Sequence, residues 1–131
     1  MRNNDWAEKM WEVFYNHSET SFEWGINDCC LFVARTVDAM SGSSIEQDLS
    51  AIYQNEIGAM KYIAKSGGLI PAISIHLGEP VTGIPMRGDI VVVDGGEGLA
   101  AGVCIGNHIA CLATKGMQFL PKNEILARWA V

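Results

Sequence analysis

Positive charge is scarce in this sequence, as are long apolar runs and cysteines at metal-binding spacing. Nine Lys and Arg stand against fifteen Asp and Glu in 131 residues, a net charge of −6. With no basic cluster, the chain has little with which to grip a phosphate backbone, which argues against nucleic acid as its main partner. No uninterrupted apolar stretch approaches the roughly 20 residues that cross a bilayer, so membrane insertion is not expected. The opening Met1-Arg2-Asn3-Asn4-Asp5 has no basic stretch followed by an apolar one. The expectation is therefore a chain made in the cytoplasm without a secretory signal. The four cysteines, Cys29, Cys30, Cys104 and Cys111, fit no zinc-ligand spacing. Without a signal their thiols are expected reduced.

What is present is apolar surface. Hydrophobic residues make up 49% and charged residues 18% of the chain, enough to offset chain entropy and fold. The length suits one domain, residues 1–131, and no linker or repeat divides it.

Helical periodicity dominates the first half. Trp6, Met10, Val13 and Phe14 form a stripe from Asn4 to about Asn16, with Trp11 and Tyr15 widening it. That stripe reads as core packing, with docking onto a neighbour as the alternative. A second helix is expected from Asn27, read as its cap, to Met40, with Gly42 as the stop. Its stripe of Cys29, Phe32, Val33, Thr36, Val37 and Met40 predicts burial. One or two further helices are expected between Ser44 and Gly67, and a short one over Leu69–Leu77.

From Arg87 the pattern changes to strands. Gly88-Asp89-Ile90-Val91-Val92-Val93 is rich in β-branched residues, and Asp94 to Gly98 reads as a turn. Leu99–Ile105, His108–Ala113, Met117–Leu120 and Ile125–Trp129 follow, separated by Gly106-Asn107 and Lys115-Gly116 turns. Helices first and an antiparallel meander second predict an α+β fold: N-terminal helices packed on a small C-terminal antiparallel β-sheet.

Chemistry concentrates at Trp24-Gly25-Ile26-Asn27-Asp28-Cys29-Cys30. A cysteine in the first turn of a helix lies beside unpaired backbone N–H groups and the positive end of the helix dipole. Both favour thiolate, the form a nucleophile needs. The alternative is that Cys29 is simply a small residue where helix meets sheet. Asp28 reads as a helix-starting acid, or else as a side chain that orients a catalytic partner. Asp94 and Glu97 make at best a loose cation site, and Gly95-Gly96-Glu97-Gly98 lacks the lysine and following helix of a phosphate loop. Neither a metal nor a cofactor is expected.

Asp28-Cys29 entering an apolar helix, then Arg87-Gly88-Asp89-Ile90-Val91-Val92, then Gly102-Val103-Cys104-Ile105-Gly106, resembles the NlpC-type, papain-related cysteine peptidases. More closely, residues from about Phe22 to Trp129 are similar to tail-cluster proteins of phages and prophages in that superfamily. They share Trp-Gly-x-x-Asp-Cys, a Gly-Asp-Val-Val strand, an alanine-rich strand ending in Gly-Val or Gly-Ile, and a late tryptophan, here Trp129. The resemblance implies an NlpC-like fold with Cys29 at the nucleophile position. It also implies a catalytic histidine opening the second strand, where this chain has Ala100, and a third polar member near Ala110 or Cys111. If so, the general base is missing, a deficit of roughly 10² to 10⁴ in rate.

His17, His76 and His108 are the possible substitutes. His108 is the best placed, because it begins the third strand; after a Gly-Asn turn it also reads as an ordinary solvated residue. Two functions follow from the resemblance. One is a structural or assembly component of a phage tail tip, located in the virion tail and partnered by other tail hub or tip proteins. The other is a cell-wall cysteine peptidase or amidase that cuts peptidoglycan peptides with Cys29 and His108. A soluble binding module unconnected with a virion is a third reading.

Overall fold

The computed structural model of the protein describes residues 2–95, 98–122 and 125–131. Five helices precede five strands: α1 (Trp6–Asn16), α2 (Cys29–Ser41), α3 (Ile45–Ile52), α4 (Glu56–Ser66) and α5 (Leu69–Leu77), then β1 (Ile90–Asp94), β2 (Leu99–Cys104), β3 (His108–Ala113), β4 (Gly116–Pro121) and β5 (Ile125–Trp129). The strands form one antiparallel sheet in the order β4-β3-β2-β1-β5, so the fold is α+β with its helices N-terminal. No helix among the described residues is long and apolar enough to cross a membrane. The expected turn at Asp94–Gly98 includes Gly96 and Glu97, which lie outside the described residues.

The core forms where α2 lies on the sheet. Phe32, Val33, Val37 and Met40 meet Ile90, Val92, Ala101, Val103, Ala110 and Leu112, and Met10 and Phe14 of α1 close the far side. A second layer, Val91, Val93, Cys104 and Ile109, fills the opposite sheet face. Both faces of β1 are thus covered, which is why Ile-Val-Val-Val runs without polar alternation. Leu31 and Ala34 turn away from the sheet and pack on Leu49, Tyr53 and Ala59, so α2 is buried on two sides.

Local signals set the helix limits. α2 stops at Gly42, whose φ of 73° suits a left-handed cap, and Gly67 ends α4 in the same way. Its start differs from the sequence reading: the cap is Asp28 and not Asn27. Asn27 is occupied elsewhere, bridging Glu23 through its backbone and accepting from Arg35 Nη1 at 2.9 Å. α1 likewise begins after Asp5 instead of Asn4, with no side-chain cap.

The ends of the chain are clamped by one carboxylate. Buried Asp89 accepts from Arg2 Nη2 on Oδ1 at 3.2 Å and from the Met86 N–H at 2.9 Å, and Arg128 Nε stands 3.2 Å from Oδ2 as an ion pair without a hydrogen bond. The Gly-Asp step before β1 is therefore a tie between both termini and the sheet. Trp129 closes the core and donates its indole N–H to the Gly78 carbonyl at 2.9 Å.

Candidate functional site

The approach to α2 is built around Asp28, which is fully buried. Its carboxylate accepts the Leu31 N–H at 2.8 Å and the Gly25 N–H at 3.0 Å, and the Tyr53 hydroxyl lies 3.1 and 3.0 Å from its two oxygens. A buried carboxylate is tolerated only when its lone pairs are used in this way. Gly25 has φ 85°, and a Cβ there would stand 2.2 Å from the Gln54 backbone. Trp-Gly-x-x-Asp is thus a local architecture: the glycine lets the loop press on the α3–α4 junction, and the aspartate ties loop, helix and Tyr53 together. Asp28 has no imidazole partner among the described residues. Burial first, then the negative charges around it, hold the Tyr53 phenol far above its ordinary range, so it remains a donor.

This scaffold delivers Cys29 to the first position of α2, facing a cavity of about 180 Å³. Phe22, Trp24, Ala100, Cys111, Thr114 and Gln118 are among its walls. The Cys29 thiol is pulled below its ordinary value by a hydrogen bond from the Cys30 thiol and another from the Ala101 N–H, against the opposing effects of burial and the Asp28 charge. The Cys30 thiol is raised well above its ordinary value by the same contact with Cys29 and by burial. Cys111 is pushed up to about 11, chiefly by burial and secondarily by Cys29.

The sheet opens at this point. Cys104 donates its N–H to Asp89 on the β1 side and Ile105 donates to His108 on the β3 side. Strand alternation therefore aims the Ala101 N–H at β3. The β2–β3 pairing, however, comprises Val103↔Ala110 and Cys104↔Ile109. Beyond that register the Ala101 N–H faces the Cys29 sulfur instead.

The three histidines lie elsewhere. His108 is exposed at the first residue of β3, opposite Pro121, whereas the cavity takes Cys111 to Thr114 from that strand. At roughly 3.3 Å per residue, His108 stands about 10 Å along the strand from Cys111 and points to the other face. The structure does not bring His108 to Cys29, because the turn that precedes β3 holds it at the wrong end of the strand. His17 is buried, its Nδ1 donating to the Val13 carbonyl at 2.8 Å and its Nε2 accepting from Arg35 Nη1 at 3.0 Å. His76 Nε2 lies in hydrogen-bond contact with the Tyr62 hydroxyl at 2.9 Å.

Among the described residues, then, the cavity wall carries no imidazole, carboxylate or amine. Ala100 and Cys111 face it, the two positions where the peptidase resemblance places the base and its polar partner; Ala110, the other candidate for the latter, is in the core. No group of three or more His, Cys, Asp or Glu among the described residues is arranged to hold a metal ion. Glu97, half of the loose cation site read with Asp94, lies outside them. The role of Tyr53 has no local signal in the sequence, because its bond to Asp28 spans 25 positions.

A family described as a domain of unknown function (DUF6950) matches residues 1–131, and the chain belongs to that family. No curated protein matches the sequence.

Proposed function

We propose that this protein is a non-catalytic structural or assembly component of a phage tail tip, built on an NlpC-like cysteine-peptidase arrangement whose base has been lost. The observation that carries the reading is the pair Ala100 and Cys111 in front of Cys29. A thiolate at a helix N-terminus can attack a carbonyl carbon. Without a neighbouring base it lacks a group to take its proton and return one to the leaving amine, and a peptide bond then re-forms faster than it breaks. Alanine cannot do this at any pH, and a thiol held near 11 is a poor proton donor at neutrality. Fold-level likeness to a peptidase does not carry peptidase function where the site argues against it.

A tail component needs durable contacts instead of turnover. Trp11 and Tyr15 on the outer face of α1 are exposed at 46% and 79%, which suits burial against other tail hub or tip proteins. The test is composition: purified tails of a phage encoding the chain contain it at fixed stoichiometry, and tails assembled without it are incomplete. Complete, infective tails lacking the chain contradict the proposal. Release of peptides from purified peptidoglycan by the isolated chain, lost in Cys29→Ala, establishes the peptidase reading instead.

A further inference from the structure

We propose that Cys29 and Cys111 form a peroxide-responsive thiol pair, in which a hydroperoxide oxidises Cys29 and Cys111 closes a reversible disulfide. The inference is independent of any role in a tail.

Three observations carry it. Both thiols line one cavity of about 180 Å³, large enough to admit a small hydroperoxide. The Cys111 Cβ also stands 3.3 Å from where a Gly102 Cβ would be, which sets it against β2 close to Ala100, another wall of the same cavity. Finally, the β2–β3 pairing ends at Val103↔Ala110, so Cys111 lies beyond it at the cavity, held from the other side by Gln118 of β4. Ala100, Ala101 and Gly102 put little side-chain bulk in the way. A thiolate-prone cysteine beside a second thiol in an open cavity is the arrangement that oxidant-sensing cysteines use. Cys30 is an unsuitable disulfide partner although its thiol touches Cys29: consecutive Cα atoms stand about 3.8 Å apart, closer than the roughly 4.4 Å or more that an unstrained disulfide spans.

The chemistry balances in two steps. The Cys29 thiolate attacks one oxygen of the hydroperoxide and the O–O bond breaks. Cys29 becomes a sulfenic acid, and the departing alkoxide or hydroxide takes a proton from solvent. The Cys111 sulfur then attacks the sulfenic sulfur; the S–S bond forms, the S–O bond breaks, and the leaving hydroxide departs as water with the Cys111 proton. An external dithiol reverses the change.

The experiment is peptide mapping of the reduced full chain after treatment with near-stoichiometric hydrogen peroxide. The expected product is an intramolecular Cys29–Cys111 crosslink, seen as loss of two hydrogen masses and reversed by dithiothreitol. Cys111→Ser and Cys111→Ala are expected to leave Cys29 as a sulfenic acid trapped by dimedone, whereas Cys30→Ser and Cys104→Ser retain the crosslink. The wild-type map requires no variant, so misfolding of one leaves the test intact. A Cys29–Cys30 bond, an intermolecular bond, oxidation of Cys29 without a crosslink, or no reaction overturns the proposal.

Discussion

The Tyr53 hydroxyl meets both carboxylate oxygens of Asp28, at 3.1 and 3.0 Å, inside the protein. This contact fixes the start of α2, and so the position of Cys29, against the end of α3. Tyr53→Phe removes the donor and keeps the ring. Because the acceptor is a buried carboxylate, the variant is expected to lose about 1.5–3 kcal/mol of stability, read as a lower urea midpoint. Asp28→Ala is expected to cost more, since it also strands the Leu31 and Gly25 N–H groups and the Tyr53 hydroxyl. An unchanged midpoint in both variants contradicts this account of the site's scaffold.

Val92 is fully buried between α2 and the sheet. Val92→Asp places an unpaired carboxyl in the core, a change of several kcal/mol that is expected to leave the chain unfolded or insoluble. A soluble variant with native circular dichroism contradicts the placement.

Asp89 joins Arg2, Arg128 and the Met86 N–H. Asp89→Ala leaves the largely buried Arg128 guanidinium without its counter-charge and is expected to cost about 3–5 kcal/mol. Hydrogen exchange is expected to rise first along β5 and the N-terminal residues, which the ion pairs hold. Uniform protection across the chain counts against the clamp.

His76 is held below its ordinary 6.5, mainly by partial burial, with Asp48 opposing. A histidine whose folded pKa is depressed is harder to protonate in the folded state than in the unfolded one. Its contribution is therefore retained above the unfolded pKa and lost as pH falls below it. Denaturant titrations from pH 7 to 5 are expected to show a decline in stability that His76→Gln reduces. An equal decline in the variant removes His76 as the cause.

Much of this fold was legible because it is written in short-range pattern. The α2 stripe, the Gly42 stop and the run Ile90–Val93 all state their structure within a few residues. So do the turns that arrange β2, β3 and β4 as a meander, the first at Gly106-Asn107 and the second at Thr114-Lys115, one residue before the expected Lys115-Gly116. The return of β5 to lie beside β1 is different: it depends on Arg128 reaching Asp89 and Trp129 reaching Gly78, contacts that no local signal announces. Asn27 and Asp28 are both good caps by type. Only the Gly25 N–H and Tyr53 hydroxyl, brought in by tertiary folding, decide for Asp28. At the site, the sequence pointed to Cys29 and Ala100. It left the place of His108 open, because three residues along a strand separate a cavity-facing position from a solvated one.

The central claim, that Cys29 has no working base, is tested most directly by the rate at which the chain hydrolyses a peptidyl amide carrying a fluorogenic leaving amine. No Cys29-dependent release is predicted at neutral pH, with or without His108→Ala, and release is predicted to rise in Ala100→His, which supplies an imidazole at the cavity. Release by the unaltered chain that Cys29→Ala and His108→Ala each abolish contradicts the claim and makes the protein a hydrolase.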